Sequence, residues 1–179
     1  YLVKEPLALH TLTLLALAMA MQKLFKKPRV YIPAISRIRR WIADHFTEFS
    51  ALAFITFYWL FSITSPLNIG VRHVLPTFPF IYILVARQIT QWLRLPEIEE
   101  AHTFAQWLSH IYTRFVSAIP KYALACLLLL WLVAETLIAF PHFLPYYNEL
   151  AGGTRNGWKI AVDSNYDWGQ DLKRLTEFV

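Results

Sequence analysis

The feature that most constrains this chain is a set of four long apolar blocks, with most of the charged residues lying between them. A helix that crosses a bilayer needs about 20 mostly apolar residues, and each block is close to that length. The blocks therefore predict an all-α polytopic membrane bundle with about four transmembrane helices. Their expected positions are residues 6–23, 49–66, 73–93 and 121–141.

The composition differs from that of an ordinary soluble domain, although the block pattern is what decides. Charged residues make up only 16% of the 179 residues, whereas about 25% of a soluble domain is charged. The single cysteine, Cys126, has no partner for an internal disulfide. Residue 1 is Tyr, and residues 171–179 predict a helix that stops before any termination signal. We therefore expect the chain to be truncated at both ends.

Basic residues concentrate between the first two blocks, where no acid precedes Asp44. Loops rich in Lys and Arg face the cytoplasm. Loops 24–48 and 94–120 are therefore expected inside, and the tail 142–179 outside. The net charge of +5 follows from this topology and does not indicate a nucleic-acid partner. The basic residues of the first loop are Lys23, Lys26, Lys27, Arg29, Arg37, Arg39 and Arg40.

Each cytoplasmic loop also contains a segment with one apolar helical face, at residues 36–49 and 100–117. An amphipathic helix of this kind lies on the inner leaflet, or its apolar face packs against the bundle. The sequence favours neither alternative.

The tail from residue 142 differs from the blocks, because glycines and acids appear in it. Lys159–Val162 predicts a short strand, and a helix is expected from Trp168 or Gly169 to Phe178. The tail is therefore expected to be the incomplete start of a soluble α/β region. Its acids do not fit a calcium loop, because Arg174 stands at the twelfth position where a Glu is needed, and no metal site is predicted. The residues expected to fix the tail on the bundle are Asn148, Glu149, Asp163, Asp167, Trp168, Gln170 and Asp171.

Polar residues cluster in the hairpin between the second and third blocks. Asn68, Arg72 and His73 lie at the predicted outer surface, together with the flexible Gly70. The guanidinium fork suits phosphate oxygens, and Lys4 lies at the same level. The alternative is that Arg72 extends to lipid headgroups while His73 caps a helix, and that Lys4 is an interfacial anchor.

Two polar residues lie inside the apolar blocks. Glu135 is expensive in hydrocarbon, and such acids are often functional. It also lies close enough to the block's outer end to reach the interface or a partner. His10 is expected to be packed or hydrogen-bonded rather than a ligand.

Three pieces of the sequence together resemble one family. They are Tyr1-Leu-Val-Lys-Glu-Pro-Leu, then Asn68-Ile-Gly-Val-Arg-His-Val-Leu-Pro with Phe-Pro-Phe after Thr77, and finally Pro145-Tyr-Tyr-Asn-Glu-Leu-Ala-Gly-Gly with Asp163-Ser-Asn-Tyr-Asp-Trp-Gly-Gln-Asp-Leu-Lys. Together they resemble the C-terminal half of bacterial glycosyltransferase family 39-like proteins. Those are relatives of the dolichyl-phosphate-mannose protein mannosyltransferases with the GT-C membrane fold.

The resemblance implies an enzyme of the bacterial inner membrane that takes a sugar from a polyprenyl-phosphate donor to an acceptor at the outer face. It implies a donor-phosphate role for Arg72, His73, Asn68 and Lys4. The catalytic base is expected on an acidic loop upstream of residue 1, sometimes with a divalent metal. No cofactor is expected in the present chain, and the chain alone is expected to be inactive.

Two other classes of function are compatible with the sequence. A transporter or flippase would use Glu135 and His10 to line a polar path through the membrane. A non-catalytic membrane partner would use the tail as a binding module.

Overall fold

The fold is helical throughout the part of the chain that the structure, a computed structural model, describes. The described residues are 1–25, 33–65, 70–95, 103–116, 118–161, 165–166, 168–169 and 172–178. Every regular element in these ranges is a helix or a helical turn. The prediction of an all-α bundle is therefore confirmed for them.

Seven α-helices are described. They are α1 (Leu7–Phe25), α2 (Ala34–Asp44), α3 (Phe46–Thr64), α4 (Phe78–Leu93), α5 (Phe104–Ile111), α6 (Ile119–Ala139) and α7 (Leu172–Phe178). A π-helical turn, Tyr112–Val116, extends α5. Short 3₁₀ turns lie at Gly70–His73, Leu75–Thr77, Glu149–Ala151 and Gly157–Lys159.

The third apolar block begins its α-helix later than residue 73. Two 3₁₀ turns occupy residues 70–77, and α4 starts at Phe78 with Pro79 in its first positions. Proline lacks the N–H that a helix interior needs, so Pro76 and Pro79 are accommodated in turns and at a helix start. The 16 residues of α4 span about 24 Å at 1.5 Å per residue.

The four long helices pack in the order α3, α4, α1, α6, because α3 contacts α4 and α1 contacts both α4 and α6. The packed face of α1 presents Ala8, Leu12 and Ala16, which are spaced four residues apart and all buried. Of these, Ala8 and Ala16 are small, and small residues let helices approach closely. Leu12 and Ala16 form a cluster with Val85 of α4 and Leu128 of α6.

Two helices in the described residues are long and apolar enough to cross a membrane. One is Phe46–Thr64, and the other lies in the region Phe104–Ala139, while Leu7–Lys23 is a shorter apolar helix. Large apolar side chains on the outer faces of α3 and α6 are exposed, such as Phe57 at 73% and Ile138 at 83%. These features are typical of a membrane protein.

One end of the bundle is marked by three polar contacts. The Arg87 guanidinium of α4 pairs with the Glu48 carboxylate in the first turn of α3. The Tyr122 hydroxyl of α6 donates to the Leu93 carbonyl at 2.8 Å. The Lys23 ammonium of α1 donates to the Gln91 side chain at 2.8 Å. The starts of α3 and α6 therefore share an end with the last turns of α1 and α4.

The tail does not form the predicted α/β region in its described residues. The strand prediction is wrong for residues 159–161, because these backbone N–H groups bond back to Asn156 and Gly157 in a tight turn. The Tyr147 hydroxyl donates to the Ala161 carbonyl at 2.7 Å. This carbonyl is therefore already bonded and does not pair with a neighbouring strand. Val162 lies outside the described residues. Trp168 and Gly169 form a bend, and α7 begins only at Leu172.

Candidate functional site

A pocket of about 370 Å³ lies at the opposite end of the bundle, near the start of α1 and the end of α3. Four stretches of chain line it: residues 1–4, the last turns of α3, the hairpin from Gly70 to Val74, and the tail. The three pieces that carry the family resemblance therefore meet at one place.

Asn148 joins the tail to the first residues of the chain. Its side chain is 1% exposed, and its Nδ2 donates to the carbonyls of Leu2 at 2.8 Å and Glu5 at 2.7 Å. Its Oδ1 accepts from the Leu150 N–H at 3.0 Å, and its own N–H donates to the Val3 carbonyl at 3.0 Å. Because all the polar atoms of the side chain are bonded, Asn148 fastens the turn 149–151 onto residues 2–5.

Lys4 makes a second link between the same two segments. Its ammonium donates to the carbonyls of Leu144 and Asn165, both at 2.7 Å. It also lies 4.1 Å from the centroid of the Tyr147 ring, which is a favourable position for a cation. Burial lowers the pKa of the Lys4 ammonium to about 8. Lys4 lines the pocket. Two of the three ammonium protons bond to the carbonyls, which leaves the third as a donor.

Tyr147 forms the wall of the pocket on the tail side. It is 2% exposed and stacks on Tyr166 at 5.1 Å between ring centroids. Burial raises the pKa of the Tyr147 hydroxyl. Gly157 packs so closely on this ring that a Cβ there would overlap it. On the opposite side, Trp59 of α3 meets the Tyr1 ring edge to face at 5.3 Å.

Gly70 allows the hairpin to approach the tail. Its φ is +69°, and a Cβ added to it would overlap the side chain of Asn165. The Asn165 Oδ1 accepts a hydrogen bond from the Val71 N–H at 3.3 Å. Asn165 is 8% exposed, so it holds the hairpin and Lys4 together from a buried position.

His73 presents a ring nitrogen that the described residues do not satisfy. Its Nε2 is buried and has no hydrogen-bond partner, and the residue lines the pocket. Its ring lies 6.2 Å from that of Tyr58. A buried polar atom without a partner carries a free-energy cost of about 1–3 kcal/mol, which a bound ligand can offset.

Arg72 stands apart from the pocket lining, although its sequence neighbours Val71 and His73 both belong to it. Its side chain is exposed, and its guanidinium lies 5.7 Å from the centroid of the Trp168 ring. Trp168 is 50% exposed. The structure thus brings Lys4 and His73 together at the pocket and directs Arg72 towards the tail.

Several residues predicted for the site fall outside the described part of the chain. Asn68 of the hairpin is one of them. Glu149 is described, and it is exposed in the turn Glu149–Ala151. Four residues of the tail also lie outside the described part, and their predicted roles stay predictions. They are Asp163, Asp167, Gln170 and Asp171.

Sequence reasoning missed the aromatic walls and the residue that joins hairpin to tail. Tyr147 and Asn165 lie inside the motifs that carry the resemblance, so the motifs were a signal for them. Trp59 gave no signal, because an aromatic residue near a helix end is also typical of a membrane interface.

Glu135 and His10 are both engaged with backbone. The Glu135 carboxylate, 5% exposed, accepts from the N–H groups of Leu7 at 3.2 Å and Ala8 at 3.4 Å. The His10 Nε2 lies 2.9 Å from the Leu2 carbonyl oxygen. The partner of His10 fits the prediction that this residue is packed or hydrogen-bonded. The partners of Glu135 give it a capping role at the start of α1.

No group of three or more His, Cys, Asp or Glu side chains is placed to hold a metal ion in the described ranges. The pocket's polar groups, an ammonium and an imidazole, suit an anion better than a hard divalent cation, which prefers oxygen ligands. The divalent metal that the resemblance implies for some relatives belongs with the acidic loop expected upstream of residue 1, so it stays an expectation.

Comparison with protein-family models, characterised proteins and solved structures finds no match to this chain. The family resemblance therefore rests on the three sequence pieces alone.

Proposed function

We propose that this chain is part of an integral membrane glycosyltransferase, which moves a sugar from a polyprenyl-phosphate donor to an acceptor at the outer face of the bacterial inner membrane. The observation that carries the proposal is the meeting of Lys4, His73 and Asn165 at one pocket. These residues belong to three pieces of the sequence that resemble the same family.

The membrane topology of the proposal has four spans. α3 and the region containing α6 are long and apolar enough by themselves. We infer that α1 and α4 also cross, because they pack side by side between those two helices. With loops 24–48 and 94–120 in the cytoplasm, the pocket and the tail lie on the outer side.

The pocket has the size and chemistry for the head of such a donor. Its volume of about 370 Å³ falls in the range of about 300–1,000 Å³ that is usual for ligand sites. The rings of Trp59 and Tyr147 offer apolar walls, while Lys4 and His73 offer donors for phosphate oxygens. The exposed apolar surface at the end of α3, with Ile63 at 75%, is suited to the lipid tail.

The proposed reaction is a displacement at the anomeric carbon. An acceptor hydroxyl forms the new bond, the bond between that carbon and the phosphate oxygen breaks, and polyprenyl phosphate leaves with the electron pair. The acceptor's proton passes to a base that we expect upstream of residue 1. Donors near the departing phosphate stabilise its developing charge, and this is the role proposed for His73 and Lys4, with Arg72 and Asn68 on the same hairpin.

The proposal is tested by sugar transfer from a radiolabelled polyprenyl-phosphate sugar in membranes containing the full-length protein. His73→Ala and Arg72→Ala are each expected to lower kcat roughly ten- to a hundred-fold while protein abundance stays constant, since one charge-assisted contact is worth about 1.5–3 kcal/mol. Arg72→Lys should recover only part, because Lys keeps the charge and loses the fork.

Arg155→Ala is the matched control, because Arg155 is an exposed cation of the tail that does not line the pocket. Transfer kinetics unchanged in both His73→Ala and Arg72→Ala would refute the donor-phosphate role of the hairpin. Equal losses in Arg155→Ala would show that charge anywhere on this face matters.

Neither alternative function gains a specific observation. A transporter path was expected to use Glu135 and His10, but Glu135 accepts from the N–H groups of Leu7 and Ala8 at the start of α1, and His10 bonds to the Leu2 carbonyl that precedes α1.

A further inference from the structure

Two amphipathic helices leave their apolar faces uncovered by the described part of the bundle. In α2, Ile35 is 74% exposed and Ile38 is 58% exposed. In α5, Phe104 is 76% exposed and Trp107 is 51% exposed. Within the described ranges, neither helix has its apolar face packed on the bundle, which was one of the two alternatives that the sequence left open.

Both helices lie at the end of the bundle opposite the pocket. α2 is separated from α3 by the single residue His45, and α5 leads through the turn Tyr112–Val116 towards α6. The pairing of Arg87 with Glu48, together with the bond from Tyr122 to Leu93, brings the starts of α3 and α6 to one level.

The exposed apolar side chains of α2 continue along the chain into α3. Trp41 in α2 is 38% exposed, Phe46 in the first turn of α3 is 67% exposed, and Phe49 is 38% exposed. The outer face of α3 is suited to lipid along its length, with exposed Phe57 and Leu60. Continuity with this surface favours the same occupant, a bilayer, over a separate protein partner.

The polar side of α2 is basic. Arg37, Arg39 and Arg40 are all exposed, and Asp44 is the only acid in the helix. The sequence just before α2 adds Lys26, Lys27 and Arg29. A helix that combines an apolar face with Lys and Arg on the polar face lies in the membrane interface and is attracted to anionic lipid.

We propose that α2 is an interfacial helix that binds the headgroups of anionic phospholipids in the leaflet where α3 begins. Ile35, Ile38 and Trp41 enter the boundary between headgroups and acyl chains, and the three arginines contact the lipid phosphates. α5 rests on the same leaflet through apolar contact alone, because its eight residues hold no Lys or Arg. The anchor does not depend on the sugar chemistry proposed for the pocket.

The depth of α2 is measured with nitroxide labels on the full chain, in a Cys126→Ser background and in liposomes containing phosphatidylglycerol. Ile38→Cys places a label on the apolar face, and Ser36→Cys places one on the opposite face. At residue 38 the label should be relaxed mainly by oxygen, which concentrates in the bilayer, at a depth of about 5–10 Å. At residue 36 it should be relaxed mainly by a water-soluble nickel chelate.

The charge preference is measured by exchanging phosphatidylglycerol for phosphatidylcholine. The ratio of inserted to water-exposed label at residue 38 should fall in the neutral lipid. In the anionic lipid, Arg39→Gln combined with Arg40→Gln should lower that ratio on the order of five-fold for each arginine removed. Arg155→Gln combined with Lys159→Gln removes the same charge from the tail and should leave the ratio unchanged.

Two results would overturn the proposal. A nickel chelate that reaches residue 38 as readily as residue 36 would mean that the helix lies in water. A label at residue 38 that is shielded from both reagents, in detergent as well as in either lipid, would mean that protein covers this face.

Discussion

Glu135, deep in the packed face of α6, caps the first turn of α1 by accepting hydrogen bonds from the N–H of Leu7 and of its neighbour Ala8. The first N–H groups of a helix have no partner within it, and the helix dipole is positive there. Pro6, just before α1, leaves these groups in need of an acceptor from elsewhere. An acid inside an apolar helix is thus explained by the needs of another helix.

Replacing Glu135 should therefore destabilise the bundle. Glu135→Leu leaves the buried N–H of Ala8 unpaired, at about 1–3 kcal/mol, and also that of the half-buried Leu7, whereas Glu135→Gln keeps one acceptor oxygen and should lose less stability. Thermal unfolding in detergent measures the order of stability, and Glu135→Leu should be the least stable variant. Thr136→Val is the control, since the Thr136 hydroxyl bonds only to Leu132 in its own helix. If Glu135→Leu and Thr136→Val unfold alike, the capping role is wrong.

Asn148 should be essential for holding the tail. In Asn148→Asp, a carboxylate oxygen replaces the Nδ2 that donates to the Leu2 and Glu5 carbonyls. This variant should therefore weaken the attachment of the tail more than Asn148→Ala does. The rate of tryptic cleavage after Arg155 reports release of the tail and should rise in both variants. Asn156→Ala is the comparison, because the Asn156 side chain bonds to Gly152 and Lys159 within its own turn. Equal cleavage of Asn148→Asp and wild type would contradict this assignment.

Gly70 and Gly153 separate backbone strain from steric overlap. Both have positive φ, +69° and +75°, but a Cβ at Gly70 would overlap Asn165 whereas nothing lies within 4 Å of one at Gly153. Gly153→Ala should cost only about 1–2 kcal/mol of left-handed strain, and Gly70→Ala should cost more. Melting temperatures in detergent compare the two. A Gly70→Ala protein as stable as Gly153→Ala would mean that hairpin and tail are not in close contact.

Lys4 should make stability depend on pH in the alkaline range. Burial lowers its pKa from 10.5 to about 8 in the folded chain, so between these values the unfolded chain binds more protons. Stability therefore rises with pH across this window. Lys4→Met removes the titration, and the difference in melting temperature between wild type and this variant should change from pH 7.5 to 10.5. A constant difference would mean that the ammonium is not desolvated.

The sequence was sufficient where a local pattern decides the structure. Length and hydropathy predicted the four long helices, and Pro76 and Pro79 marked the region where α4 starts, because a proline acts on its own backbone. It failed at residues 159–161, where a short strand was expected. The hydroxyl of Tyr147, 14 positions earlier in the chain, donates to the Ala161 carbonyl that a strand would have used.

The site was only partly predictable for a related reason. Lys4 and His73 were selected by chemical type at one membrane level, and both line the pocket. Which groups each would meet was not visible, because Lys4 bonds across 161 positions to Asn165. The direction of the Arg72 side chain depends on Trp168, and no local pattern specifies such a pair.

The capping of α1 by Glu135 also sets an order of events during synthesis. The two residues joined by the shorter of the capping bonds are 128 positions apart, so α1 leaves the ribosome long before its cap is made. Until α6 has been synthesised, the first N–H groups of α1 cannot bond to the Glu135 carboxylate. The pocket, which Asn165 also lines, is completed later still.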